Sequence, residues 1–133
     1  MTWFKYVCLL GSIVTIKAYA ASDYFCFSSG GKNLLLVPAN FLEVRELKYS
    51  PYLKRVALSK VIKTEYEDDA GFKPQIYYTM NEIVDHQVSG RYRFMVQGYL
   101  IYEVSYFNTK NKQRTDFSRL YSEDVTLKNI RCI

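Results

Sequence analysis

Histidine is almost missing from this chain: of its 133 residues only His86 carries an imidazole. No multi-histidine metal site can be built from one residue, and any Ser-His or Cys-His mechanism would have to run through it. Asp85 and Ser89 stand close to His86 in sequence, but on a strand Asp85 and His86 point to opposite faces, so the ordinary reading is a hairpin-end histidine near Tyr92. A Gly-rich phosphate loop is absent too, since Ser29-Gly30-Gly31 is too short to make one. No cysteine pair has C-x-x-C spacing and none has a base beside it, which removes the usual redox and thiol chemistry. Nothing singles out two carboxylates for glycoside hydrolysis. The acidic residues Glu65, Glu67, Asp68 and Asp69 lack the spacing of a calcium loop and read as a solvated turn. We therefore expect no enzyme, no metal and no cofactor.

Long apolar runs are missing after residue 20, so no stable membrane insertion is expected of the rest. The first twenty residues differ. They hold Lys5, an apolar run over 6–16, and Ala18-Tyr19-Ala20, which has small residues at both positions that a signal peptidase reads. We read 1–20 as a secretory signal peptide and 21–133 as one β domain with a modest core. Cleavage would remove Cys8, the only tryptophan (Trp3), and Lys5 and Lys17, lowering the formal net charge from +5 to +3. That charge is weak and evenly spread, which argues against nucleic acid as a partner. Two cysteines stay, Cys26 and Cys132, and in an exported protein an even pair is expected to form a disulfide. The loop would span nearly the whole domain, which in the chain-entropy model is worth roughly 4–5 kcal/mol before strain is subtracted. The first and last strands should then be neighbours. A periplasmic or secreted location follows from the same two features.

The strongest pattern runs over 75–121. Tyr92, Phe94, Val96, Leu100, Tyr102, Val104 and Tyr106 alternate with Arg91, Arg93, Gln97, Glu103 and Ser105, a period of two that marks a strand with one buried face. In the preceding segment Ile76, Tyr78, Met80, Val84 and Val88 form the apolar set. A two-residue loop at Ser89-Gly90 would set an apolar face beside a polar one. A three-residue loop of Val88, Ser89 and Gly90 avoids that, pairing Val84 with Phe94 and Met80 with Gly98, with Gly90 at a left-handed position. Gly98 would bend a long strand.

Elsewhere, Tyr24 to Phe27 and Leu34 to Val37 read as strands flanking a glycine turn, the second ended by Pro38. Asn40 followed by Glu43 suggests a short helix over 41–48. Val56, Leu58, Ile62, Thr64 and Tyr66 alternate as a strand, residues 108–112 turn the chain, and 125–132 return to the first strand. The expected fold is mainly β: six or seven antiparallel strands in a sandwich or small barrel with a long-stranded meander, and at most one short helix.

Recognition is what such a domain is left to do. Two loops suit it. Asp85, His86, Gln87, Ser89 and Arg91 offer donors, acceptors and a cation at a hairpin end; Lys110, Lys112 and Arg114 form a basic tip suited to an acidic cleft. The plan of the chain, with Tyr24-Phe25-Cys26 at its opening, a glycine turn and a closing cysteine, resembles bacterial periplasmic lysozyme inhibitors and the immunity proteins that neutralise wall-degrading toxins. That resemblance implies a small exported β domain that inserts a loop into an enzyme's cleft. Ser89-Gly90-Arg91-Tyr92 is faintly similar to the loop they use, and the tryptophan-bearing strand often found after it is absent. The expected partner is a hydrolase or toxin. The alternatives are a small barrel carrying an apolar ligand among its tyrosines, and a subunit of a surface assembly. Sequence leaves the oligomeric state open.

Overall fold

The computed structural model describes residues 22–68, 73–122, 127 and 129–133. The expected signal peptide at 1–20 lies outside them, as does Asp69 of the acidic turn. In chain order the elements are β1 Ser22–Ser28, β2 Leu34–Pro38, α1 Phe41–Val44, β3 Glu46–Ser50, β4 Lys54–Glu67, β5 Gln75–Val84, β6 Gln87–Gln97, β7 Leu100–Asn108, β8 Arg114–Leu120 and β9 Ile130–Cys132. β1 to β8 pair antiparallel with their neighbours in sequence, and β8 pairs back onto β1 through Cys26–Leu120 and Ser28–Ser118. The chain is thus an eight-stranded antiparallel barrel, with β9 added parallel to the start of β1. Of sandwich and barrel it adopts the barrel, and closure removes most of the free edge that an open meander would leave.

Alternation fills the barrel. Phe25 and Phe27, Leu35 and Val37, Leu47, Met80, Tyr92, Phe94, Ile101 and Val104 all face inward and are almost fully buried. Each such side chain contributes about 1.5–3 kcal/mol by leaving water. The alternate residues Cys26 and Leu36 face outward and are covered by Cys132, Leu120 and Ile130. There the disulfide joins Cys26 to Cys132, with Cα atoms 5.4 Å apart across 106 residues of sequence. The expected pairing and the expected contact of first and last strands are both present.

Several local expectations are corrected. The β5–β6 hairpin turns at Asp85 and His86, both with positive φ (49° and 64°), and not at 88–90. Met80 lies opposite Tyr92 and Glu82 opposite Gly90; Val84 lies opposite Gln87. Positive φ at both central residues is the mark of a type I′ turn, whose twist matches that of the flanking strands. Because the expected and observed registers over 75–82 differ by an even number of residues, the same faces still meet. The segment read as one long strand is two, divided by a tight turn at Gly98 (φ 63°) and Tyr99. A bulge between Met95 and Val96 then shifts the alternation, so that Ile101 is buried while Leu100 and Tyr102 are not. The helix stops at Val44, where Arg45 takes a left-handed conformation, and Leu47 and Tyr49 continue as β3 toward the core. These extra turns raise the strand count to nine.

Up-and-down connectivity sorts the connections between two ends of the barrel. At one end lie the loops 29–33, 51–53, 85–86 and 109–113, here called the rim. At the other lie α1, the start of β1 and the Gly98-Tyr99 turn. Phe41 of α1 plugs that end, its ring 4.5 Å from Phe94 and 6.4 Å from Tyr78.

Candidate functional site

The rim brings the two sequence-derived loops together. Register pairs β6 with β7 so that Gly90 faces Asn108, which sets the 85–86 turn beside the 109–113 loop. Thr109 fastens them: its backbone N–H and its hydroxyl both donate to the Ser89 carbonyl, at 3.2 and 2.9 Å. The loop also closes on itself. The Asn108 side-chain oxygen accepts from the backbone of Lys110 at 2.9 Å and of Asn111 at 3.3 Å, and the Lys112 N–H donates to the Asn108 carbonyl. Asparagine side chains fold such turns by replacing backbone acceptors.

Backbone conformation singles out the same end. Among the described residues six non-glycine positions have positive φ, and four of them are on the rim: Leu53 (51°), Asp85 (49°), His86 (64°) and Lys112 (59°). A β-carbon in the left-handed region costs about 1 kcal/mol or more, a cost that glycine avoids. Here the positions hold long or charged side chains instead. Lys32, Lys54, Lys110 and Lys112 are exposed on or beside these loops, and Asp85 is the one carboxylate in them. Tyr52 is 89% exposed at the tip of its loop, and Val84 and Val88 are half exposed at the hairpin end. The rim is therefore basic and partly apolar.

Beneath it a polar cluster sits in the barrel wall. Glu82 projects from β5, where its carboxylate oxygen Oε1 accepts from the Ser89 hydroxyl at 2.5 Å and from the Tyr106 hydroxyl at 2.7 Å. The Tyr106 ring reaches it across Gly90; a β-carbon at position 90 would lie 2.6 Å from Tyr106 Cζ, so any other residue there would have to push the ring aside. Alongside, the Tyr49 and Tyr92 hydroxyls share a hydrogen bond of 2.8 Å. Burial raises the pKa of Tyr49, Tyr92 and Tyr106 above the usual phenol value, and the nearby Glu82 charge adds to the shift in all three. They stay protonated, and Tyr106 can serve as a constant donor to Glu82. A single carboxylate thus ties the bulge at Ser89 on β6 to β7, directly under both loops.

Of the candidate residues, Asp85, His86, Gln87, Lys110 and Lys112 are exposed on the rim. Ser89 is turned toward Glu82, so its hydroxyl has a carboxylate partner and not the imidazole. Arg91 and Arg114 lie farther down the outer wall, each opposite Phe107 across a strand pair; Arg91 stacks 5.0 Å from that ring and Arg114 pairs with Asp116 at 2.8 Å. Among the described residues no group of three or more His, Cys, Asp or Glu could hold a metal ion. Sequence reasoning missed Glu82, the three tyrosines and the Tyr52 loop. Glu82 was findable, because position 82 falls on the apolar face of Ile76, Tyr78 and Met80 and breaks it with a charge.

No family model, curated protein or solved structure matches this chain.

Proposed function

We propose that the protein is an exported, non-catalytic binding protein that seats its rim in the acidic cleft of a partner enzyme, a cell-wall-degrading hydrolase or toxin. The observation that carries this reading is the concentration of left-handed non-glycine residues on the rim, at Leu53, Asp85, His86 and Lys112. Strain of this kind persists where a particular side chain is needed at the position, and it gathers at binding sites. Two further features support it. The loops are pinned by Thr109, Asn108 and the Glu82 cluster, so little ordering entropy would be lost on binding. Four lysines against one carboxylate complement an acidic cleft and steer association with it. The disulfide fits an oxidising compartment, and the periplasm is our reading of it. The carrier alternative loses support because Phe27, Leu35, Tyr92 and Phe94 fill the barrel axis.

The test is capture of the disulfide-bonded chain 21–133 on a column, identification of any stoichiometric partner, and assay of that partner's activity. Inhibition by the wild-type chain, lost on Lys110→Glu with Lys112→Glu, is the expected result. A partner whose activity and affinity ignore those two changes would overturn rim insertion.

A further inference from the structure

The outer wall of β4 to β8 carries an ordered array of cations. Register aligns Asn81, Arg91, Phe107 and Arg114 in one row across β5 to β8, and Lys63, Thr79, Arg93, Ser105 and Asp116 in the next row across β4 to β8. Residues opposite each other across a ladder share a face, and the alternate positions Met80, Tyr92, Phe94, Val104 and Phe117 fill the core, so both rows face outward. Four cations therefore stand in these rows against one carboxylate, Asp116, which is bonded to Arg114 at 2.8 Å.

Two of the guanidiniums lie on aromatic rings, Arg93 at 3.9 Å from the centre of Tyr77 and Arg91 at 5.0 Å from that of Phe107. A stacked guanidinium is held flat and gives up little freedom on binding, while the N–H donors at its edge stay open to a partner. Arg91 is exposed and makes no hydrogen bond or ion pair among the described residues. Glu65 approaches Arg93 at 3.6 Å and Lys63 at 3.8 Å, too far for hydrogen bonds. The hydroxyls of Thr79 and Ser105 on either side of Arg93, and the side-chain amide of Asn81 beside Arg91, likewise make no hydrogen bond among the described residues. Among these side chains runs a groove of about 280 Å3, too small and open to enclose a molecule but suited to a chain that crosses it.

We propose that this wall binds an acidic polysaccharide strand, with Arg91 and Arg93 taking successive carboxylates and Thr79, Ser105 and Asn81 meeting sugar hydroxyls. Guanidinium forks match carboxylates geometrically. Arg91 and Arg93 are separated by about 7 Å along β6, and Arg91 and Arg114 by about 10 Å across two strand spacings, so one ligand strand can reach all three. A bilayer would need an apolar face to bury, and at this groove only Ile62 is a half-exposed large apolar residue. The bases of single-stranded nucleic acid need open aromatic faces, whereas both rings here already carry guanidiniums. This reading does not rest on rim insertion.

Four probes decide the matter: alginate oligomers, neutral dextran, poly-L-glutamate matched to the alginate in charge, and phosphatidylglycerol vesicles, each titrated into the disulfide-bonded protein and followed by amide shifts on β5 to β8. Saturable binding of alginate, about tenfold tighter than poly-L-glutamate and absent with dextran, is expected. Arg91→Gln should weaken it about tenfold, and Arg91→Lys, which keeps the charge but loses the flat fork, should lose most of that as well. Lys48→Gln, which removes one charge from β3 away from this wall, should change it by less than about twofold. Absence of saturable alginate binding overturns the proposal, as does equal binding of poly-L-glutamate or the vesicles, or an Arg91→Gln effect no larger than that of Lys48→Gln. Rim insertion is read from partner inhibition and this wall from alginate binding, so either can fail alone.

Discussion

The two ends of this barrel are built on opposite terms. The plugged end is held by burial: Phe41 closes it against Phe94 and Tyr78, and on the neighbouring wall the disulfide clamps β9 to β1. The rim is held by hydrogen bonds, with Asn108, Thr109, Ser89, Tyr106 and Glu82 arranging loops whose own side chains point to solvent. Lys32, Lys54, Lys110 and Lys112 stand on the rim with few acids, whereas the plugged end mixes signs, with Glu43, Arg45, Glu67 and Lys73. A surface whose shape is set by polar bonds can vary its exposed residues without disturbing the core. An end closed by packing cannot.

The sharpest way to break this contrast is Phe41→Ala, which removes the plug and should lower unfolding free energy by about 3–5 kcal/mol, as read by denaturant titration. A loss below about 1 kcal/mol would mean that the plug is ornamental. Next comes Glu82→Ala. It deprives two hydroxyls of their acceptor and should cost about 1–3 kcal/mol, with the largest amide-shift changes in 85–90 and 106–112. Changes confined to the core strands would instead mark Glu82 as a general packing residue. Lys110→Glu with Lys112→Glu should move stability by less than about 0.5 kcal/mol yet weaken partner binding more than about tenfold, more so at low salt. Opposite in sign is Asp85→Asn with His86→Gly. Relief of the left-handed strain should raise stability by about 0.5–1 kcal/mol, and loss of the imidazole should weaken the partner complex. Thermal unfolding of this variant beside the wild type gives the sign directly.

Much of the barrel was legible because alternation is a local signal. Tyr92, Phe94 and Met80 could be placed inside from their spacing alone, and Cys26 could be paired with Cys132 because only two cysteines follow residue 20. The β5–β6 register was not legible. Several loop placements keep apolar faces together as long as the slip is even, and the choice among them depends on how Tyr106 packs over Gly90 from a third strand. The division at Gly98-Tyr99 was hidden for a related reason: a two-residue turn followed by a bulge leaves the alternation almost intact. At the candidate site, residue types were readable in Asp85, His86, Lys110 and Lys112, whereas their proximity was not.

Sequence by itself determined that this chain folds as antiparallel β strands with a buried, aromatic face and a single bridge between its ends, since period-two patterning and cysteine count need no knowledge of neighbours. Only the tertiary structure decided that the strands close on themselves, that two separate loops share one rim, and that Glu82 meets Ser89 and Tyr106 beneath it. Those facts depend on which strands lie side by side, and that is set by register and closure across distant parts of the chain.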